Sequence, residues 1–414
     1  MPNVVDETKE DGWHVHPNRC GNPVNSSTLF FFQHERDEKM LYLGRPMSVL
    51  ALCGVFLFAA SAKSAEPTEN AALAYWQAFA LLPTVDKDLD KLVSEAPTVK
   101  LDDRTKELVK KSKASLACMR RAASLPACDW GLEFSAGPHM VMPHLSKARQ
   151  MARYACLHAR QQLADGQPDK ALKTIRDVFV LARHSGADDM LISILVQYAV
   201  EQIVIDTVSQ ELPNFDAKQL DVLAGYLDAL PEGGSMTESL RQEQRVYVEW
   251  ARRVVQNAKS DSEAVRQLRN IVVPADEAPG GKDVTRKQIA KWLDGTTKDY
   301  DEIHAIFDLP NDEFQPRWDT LVKRIRVENP YSSAVLPALK NVREVRDRST
   351  ATWALFRTAI AVQRDGKERL ATIKDPFGGG PFQYKKLPAG FRLTSKFNFR
   401  GKQAELTVGP VAKR

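Results

Sequence analysis

Three side chains around Trp130 could carry out acid–base chemistry. Asp129 and Glu133 supply carboxylates and His144 supplies an imidazole, the groups that most often move protons in enzymes. If the fold brings them together, an envelope hydrolase is one hypothesis for this protein. The sequence contains no His-Glu-x-x-His, Gly-x-Ser-x-Gly, Walker or Cys-x-x-Cys motif. A non-catalytic protein is therefore the favoured interpretation, and the enzyme is the alternative.

Two histidines in the same segment suggest a metal carrier as a further alternative. His139 and His144 flank Met140 and Met142, and imidazole with thioether sulfur is a ligand set that suits copper. No spacing here dictates a coordination sphere, and methionines more often fill gaps in a core. We therefore expect a packed loop, with no metal and no other cofactor. Elsewhere, Asp301 and His304 have the spacing of half a di-metal motif, which would need a second such pair.

The cysteines allow a disulfide. Cys118 and Cys128 lie ten residues apart, and a bond between them would close a short loop in an oxidising compartment. Such a ring closure stabilises a fold by about 2–3 kcal/mol. Buried free thiols are the alternative. Pairing of Cys156 with either cysteine also stays open, because sequence does not fix connectivity.

Positive charge is concentrated towards the C-terminus. Residues 364–414 contain 12 Lys and Arg but 4 Asp and Glu, and aromatic residues alternate with the charges. This pattern predicts contact with an anionic surface or partner, although a half-buried hairpin with a solvated outer face has the same pattern. The net charge of +5 for the whole chain is too small to indicate a dedicated nucleic-acid binder. The candidate residues for anion binding are Lys385, Lys386, Arg392, Lys396, Arg400 and Lys402.

An apolar run near the N-terminus is typical of a secretory signal peptide. Arg45 precedes residues 46–62, which end in Ala60-Ser61-Ala62, a small-residue cleavage pattern. The run is too short to span a bilayer comfortably. We assign residues 40–65 to the signal and expect a periplasmic or secreted protein, anchored to the membrane only if the signal stays uncleaved. Residues 1–39 are interpreted as a misassigned start or a disordered extension.

The remainder has the periodicity of helices. Apolar residues recur at helical spacing through residues 145–163 and again through 171–182, with Gly166 and Pro168 between the two runs. This pattern predicts an all-α fold, an array of antiparallel helical hairpins with a small C-terminal β-hairpin. The predicted regions are an N-terminal helical region (66–273), a linker (274–282), a C-terminal helical region (283–374), and a basic β-hairpin and tail (375–414).

Several short motifs resemble those of a group of exported helical proteins common in planctomycete-type bacteria. The motifs are Asn70-Ala71-Ala72, Tyr75-Trp76, Leu81-Leu82-Pro83, Cys128-Asp129-Trp130-Gly131, Pro143-His144-Leu145, Ala182-Arg183-His184, and Asp375-Pro376-Phe377 with Tyr384. The resemblance spans about residues 70–394. It implies an exported helical protein, and it implies no activity.

Two local likenesses are narrower. The 146–184 hairpin resembles a tetratricopeptide-type unit through Gly166 and Ala171, although Gln162 stands where an aromatic residue is usual. Residues 375–391 resemble the C-terminal hairpin of type II secretion major pseudopilins. In that family an acidic calcium-binding segment follows, whereas basic residues follow here. Taken together, the sequence predicts a non-catalytic interaction or structural module of the cell envelope, with an envelope protein or an anionic surface as its partner.

Overall fold

The computed structural model describes residues 69–272 and 284–410. Helices dominate this part of the chain. They are α1 (Ala71–Ala80), α2 (Lys87–Ser94), α3 (Asp103–Lys111), α4 (Lys113–Ala122), α5 (Pro143–Ala164), α6 (Pro168–Ser185), α7 (Leu191–Glu211), α8 (Ala217–Asp228), α9 (Met236–Asn257), α10 (Asp261–Val272), α11 (Arg286–Phe307), α12 (Asn311–Glu328), α13 (Pro330–Val335) and α14 (Leu339–Asp365). The predicted extension (1–39), signal peptide (40–65) and linker (274–282) lie outside the described residues.

The predicted hairpin at 146–184 is present as α5 and α6. Proline occupies the first position of both helices, where its fixed φ suits a helix start and no N–H is needed. Gly166, at φ +71°, makes the turn between them. However, α7 packs against both α5 and α6, so the three helices form one unit. An array of repeating hairpins is not confirmed.

The C-terminal element is larger than predicted. In place of a hairpin, the structure has a three-stranded antiparallel sheet in the order β1 (Gln383–Leu387), β2 (Gly390–Phe399) and β3 (Lys402–Val408). The third strand was missed because Lys402-Gln403-Ala404-Glu405 carries little apolar alternation. Its inward side chains, Leu406 and Val408, are nevertheless buried.

A buried aspartate holds the irregular part of β2. The pairing of β2 with β3 shifts register between Thr394 and Asn398. Inside this bulge, the Asp375 carboxylate accepts hydrogen bonds from Ser395 Oγ (2.9 Å) and from the backbone N–H of Lys396 (2.6 Å). A third bond comes from the Phe377 N–H (3.0 Å). Asp375 is thus a structural group that satisfies donors which the ladder leaves free.

The sheet packs on helices from both halves of the chain. Strands β2 and β3 contact α14, and β3 also contacts α7. The N–H of Gly409 donates to the carbonyl of Ser209 at the end of α7 (3.0 Å). Leu393 and Leu406 join Phe356 in the main hydrophobic cluster. Further packing crosses the predicted linker, because α9 lies against α11 and α7 against α14. Helices on either side of residues 273–283 therefore share contacts.

Helix α7 is the central core helix. With the short 3₁₀ turn after it, residues 191–214 are long and apolar enough to cross a membrane by length and composition, and in the described residues this is the one such segment. More than half of it is buried against other helices. A buried ion pair fixes its middle: Glu201 Oε1 lies 3.1 Å from Arg183 Nε, and Glu201 Oε2 accepts a bond from Trp353 Nε1 (2.7 Å). Helices α6, α7 and α14 are thereby joined.

Candidate anion-binding pocket

A cavity of about 1000 Å³ opens between helices α7 and α14 and the C-terminal sheet. We call it the basic pocket. All three strands and both helices contribute to its wall. Its lining residues are Gln202, Arg348, Thr352, Gln383, Tyr384, Lys385, Arg392, Thr394, Phe399, Arg400, Lys402, Gln403, Ala404 and Glu405.

The charge of the basic pocket is strongly one-sided. Its wall carries five cationic side chains and one carboxylate. That carboxylate, Glu405, already accepts a bond from Arg392 Nη1 (3.3 Å). Four cations therefore line one cavity with no acidic partner among the lining residues. Walls of one sign focus the electrostatic potential inside a cleft and raise the local concentration of ions of opposite sign.

A tight turn positions Arg400 at the mouth of the pocket. Phe399 and Lys402 are paired across the ends of β2 and β3, which leaves Arg400 and Gly401 as a two-residue loop. Both have positive φ, +50° and +80°, as in a type I′ turn. The Arg400 guanidinium lies over the Phe399 ring at 5.1 Å, and its Nε is 4.0 Å from Glu344 Oε2.

Arg348 approaches the same ring from the helical side. Its guanidinium is 5.2 Å from the centroid of Phe399. Two cations therefore flank one aromatic side chain, and the pocket offers a charged and an apolar contact next to each other. On the neighbouring helix, Gln202 donates to Asp206 Oδ1 (2.7 Å), and burial raises the pKa of Asp206 to about 6.

Four of the six residues predicted to bind anions line the basic pocket: Lys385, Arg392, Arg400 and Lys402. The other two, Lys386 and Lys396, do not. Lys386 follows Lys385 on β1, and successive side chains of a strand point to opposite faces. Lys396 lies in the bulge, where its Nζ is 3.5 Å from the carbonyl of Gly378.

Sequence reasoning missed the helical half of the pocket. Arg348 and Thr352 lie on α14, and Gln202 lies on α7, nearly 200 residues before the strands. Arg348 belongs to a charged stretch of α14 that reads as an ordinary solvated helix face. No local signal in the sequence separates it from its neighbours, because its role depends on the sheet that docks beside it.

The three candidate acid–base residues around Trp130 lie in different surroundings. Asp129 and Glu133 are exposed, and each bonds within its own loop: Asp129 Oδ1 accepts from the Gly131 N–H (2.9 Å), and Glu133 Oε1 accepts from Ser135 Oγ (3.1 Å). His144 is fully buried. Its ring stacks on Trp130 with centroids 4.4 Å apart. The carboxylates stay in solvent while the imidazole is part of the core, and the enzyme hypothesis required the three groups to come together.

A buried row of polar groups adjoins His144 but has the wrong order for nucleophilic catalysis. His144 Nε2 is 3.6 Å from Asp188 Oδ2, and the same oxygen accepts from Ser193 Oγ (2.9 Å). In a catalytic triad the imidazole stands between hydroxyl and carboxylate and takes the hydroxyl proton. Here the carboxylate stands in the middle. His144 therefore has no path to the Ser193 proton.

Residues from five of the short motifs behind the resemblance meet around Trp130, whereas the Asp375 motif lies at the sheet. Trp130 Nε1 donates to the carbonyl of His184 (2.8 Å), and the Tyr75 hydroxyl lies 3.1 Å from His184 Nδ1. Burial lowers the pKa of His184 to about 4, so the ring is neutral at physiological pH. Asn70 closes the cluster by bonding to both the N–H and the carbonyl of Asp129. These residues join α1, the Trp130 segment and α6 structurally.

The two candidate metal-binding histidines lie in different surroundings. His139 is exposed and lies edge-on to Trp250 at 5.9 Å, whereas His144 is buried beside Trp130. Across residues 69–272 and 284–410, no three His, Cys, Asp or Glu side chains are grouped so as to hold a metal ion. His304, on α11 with Asp301, has both ring nitrogens buried without a hydrogen-bond partner. One of the two candidate histidines is thus at the surface and the other in the core.

The predicted disulfide between Cys118 and Cys128 is absent from the structure. Both are free thiols, as is Cys156. Helix α4 continues past Cys118 to Ala122, so the intervening chain is not a simple loop, and the two sulfurs pack separately against the main core. Burial raises the pKa of the Cys128 and Cys156 thiols to about 12. Both are therefore protonated and unreactive at neutral pH.

Comparisons of the chain with models of known families, with curated proteins and with solved structures found no match. The basic pocket therefore has to be interpreted from its own geometry.

Proposed function

We propose that this protein is a non-catalytic binding module that takes up an anionic ligand in the basic pocket. The observation that carries the proposal is the charge of that cavity: five cations and one carboxylate around about 1000 Å³. Like charges held close together repel one another, so a bound anion would relieve the repulsion among these cations. A cavity of about 580 Å³ between α11 and α12, by contrast, is lined by cationic and acidic side chains together.

Polar groups elsewhere in the structure and in the basic pocket itself favour binding over catalysis. Within the described residues, the polar row at His144 has an order unsuited to nucleophilic attack, and the thiol of Cys128 is protonated at neutral pH. The basic pocket itself offers cationic and amide side chains, and its single carboxylate is engaged with Arg392. Such a set can hold and orient an anion but supplies no free general base.

The proposal includes a place in the bacterial cell envelope. It rests on the apolar run at residues 46–62 and its small-residue ending, together with the resemblance to exported helical proteins. Intact mass measurement of the protein recovered from its host tests this part. A chain that begins near Lys63 or Glu66 supports export, and a chain that retains residues 46–62 in the soluble cytoplasmic fraction contradicts it.

Binding itself is tested with inorganic tripolyphosphate as the probe, by isothermal titration calorimetry. We expect binding that weakens as salt rises from about 0.1 M to about 1 M, where the Debye length falls from about 10 Å to about 3 Å. The double variant Arg348→Gln/Arg400→Gln removes two pocket cations and should lose at least about tenfold in affinity.

A matched control changes the same charge away from the pocket. The variant Lys386→Gln/Lys396→Gln also removes two positive charges, from residues outside the lining. It should bind tripolyphosphate within about twofold of the unmodified protein at about 0.1 M salt, because distant charges are screened. Equal losses in the two double variants would mean that net charge alone attracts the anion, and the pocket assignment would be wrong.

A further inference from the structure

A second cavity borders the basic pocket along the same two helices. This cavity, of about 310 Å³, shares Gln202, Arg348 and Thr352 with the basic pocket. We call it the apolar arm. The three shared residues form the junction between the basic pocket and the apolar arm. The two neighbouring cavities therefore suit the two ends of a ligand that is charged at one end and apolar at the other.

The walls of the apolar arm are mostly carbon. Helix α7 contributes Leu195, Ala199 and Ile205, and α14 contributes Val345 and Trp353. This composition contrasts with that of the basic pocket, whose wall carries five cationic side chains. Surface of this kind favours alkyl carbon over water by about 25 cal/mol per Å² buried.

The one carboxylate in the arm is already neutralised by neighbours. Glu201 is 1% exposed, and its oxygens face Arg183 Nε at 3.1 Å and Trp353 Nε1 at 2.7 Å. Gln197 Nε2 donates to it as well (3.0 Å). Glu201 therefore has its partners within the protein and offers no repulsive charge to an anion at the junction. Arg348 lines the arm on its border with the basic pocket.

We infer that the ligand is a single-chain anionic amphiphile, a lipid monomer with a phosphate or carboxylate head. Its head group would bind at Arg348 and the cations of the sheet, and its alkyl chain would lie in the apolar arm between α7 and α14. This inference rests on the proposed function, since it names the ligand class for the same pocket. The shared border of the two cavities and their contrasting chemistry carry it.

The test is a chain-length series of butyl, hexyl and octyl phosphate, below their aggregation concentrations, with inorganic phosphate as the head alone. Each methylene buried in the arm should tighten binding by about three- to fourfold. Octyltrimethylammonium, with the same tail and a positive head, should bind at least about tenfold more weakly than octyl phosphate.

A variant that fills the arm completes the test. Ala199→Phe puts a ring into the arm from α7 and should abolish the chain-length dependence while tripolyphosphate binding is kept. Ala164→Phe, at an exposed position at the end of α5, is the matched control and should bind like the unmodified protein. If Ala199→Phe fails to fold, Ser349→Leu narrows the same arm from α14.

The outcomes separate the two proposals. Tripolyphosphate binding with affinities that do not change from butyl to octyl phosphate would overturn the amphiphile inference and leave the anion pocket intact. Octyltrimethylammonium binding as tightly as octyl phosphate would overturn the anion pocket and the amphiphile inference together. A steep chain-length series that persists in both Ala199→Phe and Ser349→Leu would place the tail elsewhere and overturn the arm.

Discussion

Arg400 occupies a backbone conformation that arginine adopts at a cost, and this cost can be measured. At φ +50° its backbone is in the left-handed region, a conformation that costs an L-residue about 1–2 kcal/mol. Asparagine tolerates this region, and Asn-Gly is a favoured pair in a two-residue hairpin loop. The next residue here is Gly401, at φ +80°. Arg400→Asn would therefore create the preferred turn sequence and relieve the strain.

The variant also loses two weak contacts. The guanidinium over Phe399 contributes about 0.5 kcal/mol at an exposed site, and the 4.0 Å approach to Glu344 contributes close to nothing. The net expectation for Arg400→Asn is a free energy of unfolding higher by about 0.5–1 kcal/mol. Tripolyphosphate affinity should fall at the same time, because one pocket cation is gone. The protein would become more stable and bind more weakly.

Urea unfolding followed by tryptophan fluorescence measures the first effect, and calorimetric titration measures the second. Arg400→Gln is the matched control, because it removes the same charge and the same contacts but keeps a side chain that disfavours positive φ. We expect Arg400→Asn to be more stable than Arg400→Gln by about 1 kcal/mol, with equal losses of affinity. Equal unfolding free energies for the two variants would refute the strain argument.

Three further predictions concern buried groups. Burial raises the pKa of Glu243 from 4.5 to about 7, so the folded state keeps a proton that the unfolded state releases, and stability falls as pH rises through this window. In urea unfolding at about pH 8, Glu243→Gln should therefore have a free energy of unfolding up to about 3 kcal/mol higher than that of the unmodified protein. At about pH 4 the two proteins should be equally stable, and a difference that stays constant with pH would contradict this prediction. Glu201→Ala leaves Arg183 unpaired in the core and should lower the free energy of unfolding by about 3–5 kcal/mol in the same assay. Glu201→Gln keeps an acceptor for the indole of Trp353 and should lower it less. Equal losses in the two variants would speak against the indole hydrogen bond. His144→Phe keeps the aromatic stack on Trp130, and its free energy of unfolding should stay within about 1.5 kcal/mol of that of the unmodified protein. His144→Ala opens a cavity and should lose about 3 kcal/mol. Similar losses in the two variants would show that the imidazole nitrogens matter.

Local patterns in the sequence predicted the elements well and the site only in part. The apolar stripe, the proline starts and Gly166 predicted α5, α6 and their turn, because helix periodicity and turn chemistry are local properties. Asp216 at the start of α8 forms a full capping box with Gln219, which is likewise a local pattern. Strand β3 was missed, because its burial is decided by α7 and α14 and not by its own alternation.

The residues of the basic pocket were also predicted only in part. Lys385, Arg392, Arg400 and Lys402 were predicted from the density of charge near the C-terminus, and the turn and the pleat then bring them to one cavity. Arg348 could not be selected, since a helix surface rich in arginine gives no sign of which side chain a distant strand will meet. The residues around Trp130 illustrate a related point. Proximity in sequence says little about whether a carboxylate stays in water while a histidine enters the core.

The contact between Gly409 and Ser209 has a consequence for how the protein is made. About 190 residues separate the end of α7 from the start of β3, so one wall of the pocket is synthesised long before the other. Closing so long a segment is entropically costly and slow. Until β3 emerges from the ribosome, the face of α7 that it covers has no strand against it. A nascent or prematurely terminated chain would present that apolar face to chaperones and proteases. Ligand-binding ability would then report that translation had reached its last strand.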